Sequence, residues 1–202
     1  MRPLNAQIRL DNLRQNYRFL KELHGNKLLA VIKADAYGHG AVRCAHALAD
    51  IADGFAVATV DEGVELRQNG IKNPIVLLEG VFEAAEYADV DRYDLWPAIG
   101  SQWQLEAFVH HEWQRPTTVW LKMDSGMHRA GFFPHNYAAA YTALKQSESV
   151  ENIVKFSHFA CADEPENGMT EMQLEAFDLA SEGLEGEESL ANSAAILNVP
   201  EA

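Results

Sequence analysis

The sequence lacks any apolar run longer than a β-strand needs. A membrane-crossing helix, which takes about 20 consecutive apolar residues, is therefore excluded. The first nine residues, Met1 to Arg9, contain no apolar signal core, so export is not expected and a cytoplasmic location is. Cysteine is scarce: Cys44 and Cys161 lie far apart, match no metal or redox spacing, and read as reduced packing groups. Positive charge is scarce as well. The 16 Lys and Arg against 30 Asp and Glu leave a net charge of −14, the wrong sign for a nucleic-acid or anionic-membrane partner. No Lys or Arg follows Lys155, whereas acids continue to the end, as though a balancing basic segment were missing from the chain. Catalytic signatures are missing too. There is no Gly-x-Ser-x-Gly and no phosphate-binding Gly-x-x-x-x-Gly-Lys-Thr, and Gly38-His39-Gly40 lacks the third glycine of a dinucleotide loop. His110-His111-Glu112 is not a zinc-binding His-Glu-x-x-His helix, and no metal site is expected.

What is present is an even alternation of strand and helix patterns in a chain of 202 residues, 48% apolar and 23% charged. Residues 6–10 alternate weakly as a short strand, and Asp11 is placed to cap a helix reaching about Leu23, closed by Gly25. Leu28 to Ile32 is an unbroken apolar run suited to a buried strand. Helix 41–50, strand 55–59, helix 62–68, strand 74–78, an irregular acidic segment and a weaker strand at 95–99 follow. Ser101 caps a helix to about Glu112, and Thr117 to Lys122 is a strong strand. Helix 137–145, strand 153–157, helix 170–181 and strand 188–191 complete the series, with Thr170 and Gln173 at capping-box spacing. Trp96, Trp103, Trp113 and Trp120 fall in these patterns and read as core.

Strands apolar on both parities, alternating with amphipathic helices, describe a parallel sheet covered by helices. About seven strand–helix units is more than an open doubly wound sheet usually has and one fewer than a closed (β/α)8 barrel. Even spacing favours an α/β fold of the (β/α)8 TIM type, incomplete by one strand, with residues 1–202 as one barrel domain.

In such a barrel the strand ends converge on one functional face. Lys33, Tyr37, Lys122, Arg129, His158, Asn192 and Ser193 would all lie there, a set rich in cations and donors that suits a phosphate plus a carboxylate. A lysine among other cations in a dry mouth has its ammonium form disfavoured, which makes Lys33 a Schiff-base nucleophile. Each residue also has a plain alternative: strand-end snorkelling for Lys33, ion pairs with Asp124 and neighbouring acids for Lys122 and Arg129, a strand-end histidine for His158, core packing for Tyr37, and a helix cap for Asn192-Ser193.

The stretch from Ala30 to Gly40, containing Lys33-Ala34-Asp35-Ala36-Tyr37-Gly38-His39-Gly40, resembles the cofactor-lysine signature of the bacterial alanine racemases. Matches follow in the same order at Lys122 to Gly131, Ser157 to Ala160 with Ala162-Asp163-Glu164, and Ala191 to Ala195. The resemblance implies a pyridoxal 5'-phosphate (PLP) enzyme interconverting L- and D-alanine for the bacterial cell wall. It implies that Lys33 carries PLP and acts as a base, that Tyr37 and Ser193 with Asn192 hold the phosphate region, and that Arg129 meets the cofactor and substrate. It implies that His158 backs the cofactor ring and that Lys122 is a possible carbamylated lysine supporting Arg129. It also implies an eighth strand and a C-terminal β-domain, bearing a tyrosine that is the second base in a homodimer. Neither is in this sequence, so the chain alone is expected to be inactive or nearly so. A non-catalytic, PLP-carrying single barrel is the alternative.

Overall fold

The parallel sheet that the strand pattern demands is present, and in the computed structural model its strands run in sequence order, β1 to β7. The structure describes residues 3–199. The strands are β1 (Leu29–Val31), β2 (Gly54–Val57), β3 (Ile75–Leu77), β4 (Trp96–Ile99), β5 (Thr117–Lys122), β6 (Val150–Phe156) and β7 (Glu188–Ser189), each parallel to the next. The helices are α1 (Leu10–His24), α2 (Lys33–Gly38), α3 (Ala41–Leu48), α4 (Val60–Gln68), α5 (Tyr87–Arg92), α6 (Gln102–His110), α7 (Pro134–Lys145), α8 (Met169–Ser181) and α9 (Ser193–Asn198). Among the described residues β1 and β7 are unpaired edges and no eighth strand lies between them, so the sheet is a curled, incomplete (β/α)8 barrel. Outside the gap α9 approaches α1, and at its foot Lys27 pairs with Glu187.

Alternation along the strands divides the core in two. Ala56, Val76, Ala98, Trp120, Val154 and Phe156 face inward, with the Trp120 and Phe156 rings 5.5 Å apart at 71°. Their neighbours Phe55, Ile75, Leu77, Val119 and Leu121 belong to the larger cluster under the helices. Burial on both parities explains the unbroken apolar runs, each such side chain contributing about 1.5–3 kcal/mol relative to exposure.

Several local expectations are corrected. Residues 3–9 form no strand, because a single extended segment with no neighbour to pair with leaves its backbone donors to water. The first helix begins at Leu10 with Arg9 as its cap residue; Asp11 lies in the first turn, where a carboxylate suits the helix N-terminus. Helix α8 begins at Met169 after Gly168, whose φ of 73° ends the preceding turn, so Thr170 is no cap and Gln173 is free for other bonds. Strand β7 is shorter than expected, being held from one side only. Trp120 is core and Trp96 and Trp113 are partly buried, but Trp103 is 44% exposed.

Candidate active site

The stretch after β1 is an irregularity that the sequence did not announce. Ala34, Asp35, Ala36 and Tyr37 have φ of 50°, 53°, 52° and 53°, so α2 is a single left-handed turn built from non-glycine residues. Each L-residue in that conformation costs about 1–2 kcal/mol, so the turn must be held from outside. Asp35 Oδ1 accepts from the Ala41 amide at 2.7 Å and its carbonyl accepts from Gly40 at 2.8 Å. Glu62 reaches across from α4: one carboxylate oxygen accepts from the Ala34 amide at 2.7 Å and the other from Ala58 at the end of β2, also at 2.7 Å. Lys33 enters this clamped turn half-buried, and Tyr37 is 61% exposed at the rim rather than core.

From the end of β5 the chain makes a loop pinned at its neck, where Asp124 N donates to Phe132 O and Phe132 N to Lys122 O, both at 2.9 Å. Gly131, at φ 128°, has to be glycine, since a Cβ would come 2.4 Å from Asp124 N. The buried Asp124 carboxylate accepts from the amides of Gly126 at 3.2 Å and His128 at 2.8 Å. Among the described residues the one basic side chain within 4 Å of it is the His128 ring, at 3.4 Å, so neither Lys122 nor Arg129 pairs with it. Lys122 is 8% exposed, with its ammonium 4.2 Å from the centre of the Phe156 ring. Burial first, and then the positive field of Arg129, lowers its pKa to about 8.

His158 leaves the end of β6. Burial, followed by the charges of Lys122, Arg129 and Lys33, lowers its pKa to about 4, so the ring is neutral at pH 7. Behind it Ser157 donates to Met123 O at 2.9 Å and bonds Ser125 Oγ at 2.8 Å, joining the ends of β5 and β6. At the end of β7, Asn192 caps α9 by accepting from Ala195 N at 3.0 Å, and Ser193 opens that helix.

Lys33, Tyr37, Lys122, Arg129, His158, Asn192 and Ser193 all line one cavity of about 1710 Å³ at the C-terminal ends of the strands. The cavity continues inward to Trp120 and Phe156 and outward through the gap to Leu13 and Leu20 of α1. Trp120 is buried beside it with no acceptor for its indole N–H among the described residues. Glu79, Phe82 and Trp103 also line the rim. Glu79 stands at a polar strand end in the sequence but carries no assigned chemistry there, Phe82 has no assigned role, and Trp103 reads as core because a helix-face position gives no signal that it faces a mouth. Glu62 was legible only as the third residue after a capping threonine, Thr59, and not as a clamp on the lysine turn. The donor set is what a phosphorylated aldehyde needs: an amine to bond, with further cations and hydroxyls to face an anion. Among the described residues no cluster of three His, Cys, Asp or Glu could hold a metal ion, and no helix is long and apolar enough to cross a membrane.

Residues 8–202 match the family model "Alanine racemase, N-terminal domain". The alanine racemase of Neisseria meningitidis serogroup A is 77% identical over 202 residues, covering 100% of this chain and 57% of that protein. The catabolic alanine racemase of Pseudomonas aeruginosa is 57% identical over 200 residues, covering 99% of this chain and 56% of that one. Among solved structures, the biosynthetic alanine racemase of Pseudomonas aeruginosa superposes with a TM-score of 0.94 at 46% identity, covering 99% of this chain and 56% of the other. The alanine racemase of Clostridium difficile in complex with cycloserine gives 0.87 at 35% identity, over 95% of this chain and 53% of that one. The chain thus spans a little over half the length of the curated relatives it matches.

Proposed function

Because the chain belongs to the alanine racemase family through its N-terminal domain, we propose that it provides the cofactor-bearing barrel of an enzyme interconverting L- and D-alanine. The observation that carries the reading is Lys33, an amine at the end of the first barrel strand sharing one cavity with Lys122, Arg129 and His158. Pyridoxal 5'-phosphate, when bound, supplies the electron sink that makes the α-proton of an amino acid removable. Lys33 holds the cofactor and, with its Nζ freed, takes or returns that proton on one face. Tyr37, Asn192 and Ser193 bind the phosphate region. Arg129 would orient the substrate carboxylate and meet an oxygen of the cofactor, and His158, neutral at pH 7, would adjoin the cofactor without adding charge. Lys122, with its pKa lowered to about 8, has roughly a tenth of its amine unprotonated at pH 7, far more than an ordinary lysine, and that amine adds carbon dioxide to form a carbamate with loss of a proton. The carbamate turns a cation beside Arg129 into an anion that supports it. The second base, acting on the opposite face, is proposed to lie outside this chain and to reach the cavity in a homodimer of the whole cytoplasmic enzyme. The product, D-alanine, is proposed to serve the bacterial cell wall.

The test is to incubate the purified chain with pyridoxal phosphate, reduce with borohydride and map the labelled peptide, while assaying D-alanine formed from L-alanine. Label on Lys33 is expected, with little D-alanine. No label on Lys33 overturns the reading, and robust turnover overturns the placement of the second base. A label with no turnover under any pairing with a longer relative would instead fit a non-catalytic carrier of the cofactor.

A further inference from the structure

We propose that Gln173 is a positioning residue for the cofactor cavity, holding the His158 segment and the loop that leads to Arg129 in one fixed relation. The inference rests on the proposed cofactor site and names a part of it that no cavity-lining residue supplies. Gln173 is 0% exposed on α8 and touches the cavity nowhere. Its side-chain amide lies along the backbone after β6, accepting from Ala160 N at 2.8 Å and donating to His158 O at 2.9 Å. The same nitrogen donates to Ser125 Oγ at 3.2 Å, and Ser125 in turn bonds Ser157. Gly126 fits beneath it: a Cβ there would stand 3.2 Å from Gln173 Cγ.

An amide so enclosed is costly unless its bonds are made, and once made they fix geometry. One of these bonds holds the carbonyl of His158, whose ring faces the cavity, a second holds the backbone two residues further on, and the third fixes the start of the Ser125 to Arg129 loop. With Gln173 in place, the His158 ring and the Arg129 loop have one separation. Without it, the 158–160 backbone loses the one side-chain partner that α8 gives it among the described residues.

The experiment uses the whole chain. The midpoint of the His158 ring is followed by NMR without cofactor, and the concentration of pyridoxal phosphate giving half-maximal borohydride label on Lys33 is measured separately. In Gln173→Leu the His158 midpoint is expected to move from about 4 toward the ordinary 6.5, and half-labelling is expected to need at least tenfold more cofactor. Gln173→Glu keeps the bond from Ala160 N but cannot donate to His158 O at neutral pH. It is expected to fall between, and it carries the test if the leucine variant does not fold. Asp53→Ala, which removes a carboxylate at the opposite end of β1, is the control for general loss of stability and should leave the His158 midpoint in place. Folded Gln173 variants with wild-type midpoint and labelling overturn the inference, as does an Asp53→Ala chain that shifts His158 equally. Absence of label on wild-type Lys33 is a separate outcome that overturns the proposed function, while the His158 titration still decides the role of Gln173.

Discussion

Replacing Ala34 by glycine is expected to stabilise this protein, the reverse of what the substitution does in an ordinary helix. Ala34 is exposed and its side chain makes no polar contact, while its amide bond to Glu62 survives the change. Its φ of 50° and ψ of 53° place it in the left-handed region, where a Cβ costs about 1–2 kcal/mol. Glycine removes that cost but frees the unfolded chain, a loss of about 0.4–1 kcal/mol. The balance is a gain of about 0–1.6 kcal/mol, centred near 0.8. In a right-handed helix the same change would lose about 1 kcal/mol, so the two geometries predict opposite signs. Urea unfolding followed by circular dichroism separates them. The midpoint should rise with unchanged slope, and the melting temperature should rise by about 2–4 °C per kcal/mol for a chain of this size. A clear fall in the midpoint with the slope unchanged would refute the left-handed turn. Asp35→Gly is the internal contrast: it relieves the same strain but loses the bond to Ala41, and should gain less or nothing.

Removing the clamp should act in the other direction. Glu62→Ala deletes a carboxylate that accepts from Ala34 and Ala58, and bonds to a charged group contribute about 1.5–3 kcal/mol each when sheltered. Since these are partly exposed, a loss of about 2–3 kcal/mol is expected, together with faster amide exchange at Ala36 and Gly40; unchanged exchange would show the turn to be self-supporting. His158 makes stability depend on pH below neutrality. Its folded pKa of about 4 lies beneath the ordinary 6.5, so the unfolded chain binds the extra proton between those values and stability falls as pH drops from 6.5 to 4. The contribution is at most about 3 kcal/mol, and His158→Asn should flatten that part of the curve relative to wild type; identical slopes would refute it. Lys122 as the unmodified amine, in buffer free of carbon dioxide, works the same way at higher pH: with its pKa at about 8 against an ordinary 10.5, stability should rise between those values, and Lys122→Met should abolish that rise.

The barrel was legible because its signal is repetitive: each apolar run of β2, β3 and β5 is short, buried on both faces and followed by a polar strand end. The cavity residues were legible for the same reason, since topology alone sends Lys33, Lys122, His158 and Ser193 to one end. What stayed hidden was geometry set by single hydrogen bonds. Lys33 to Gly40 reads as a glycine turn, and nothing in Ala34 to Tyr37 announces four left-handed residues, because the preference comes from Glu62 and the 58–59 backbone. Gln173 was visible but carried the wrong meaning. Its spacing from Thr170 fits a capping box, yet the turn at Gly168 starts the helix one residue before Thr170 and sends the amide to the 158–160 backbone instead.

These misreadings share a cause, which says how the cavity is built. Each strand end carrying a cavity residue is fixed by a neighbouring carboxylate or amide that bonds backbone: Glu62 for the Lys33 turn, Asp124 for the Arg129 loop, Gln173 for the His158 segment and Asn192 for the Ser193 helix. Short polar loops have little apolar area with which to hold themselves, so hydrogen bonds to backbone take over that role. Among the described residues the side chains of Lys33, Tyr37, Lys122, Arg129, His158 and Ser193 then make no hydrogen bond of their own and line the cavity, whereas the Asn192 side chain accepts from Ala195 N and donates to Phe159 O. If the four devices act separately, their removal should be additive to within about 0.5 kcal/mol for pairs far apart, such as Glu62→Ala with Asn192→Ala. Ser125→Ala with Gln173→Leu should not be additive, because Ser125 Oγ is bonded to Gln173 and Ser157 at once. Double-mutant cycles by urea unfolding decide it: coupling between the distant pair would mean that the strand ends form one continuous network rather than local supports, and none between Ser125 and Gln173 would mean that the bond joining them contributes nothing.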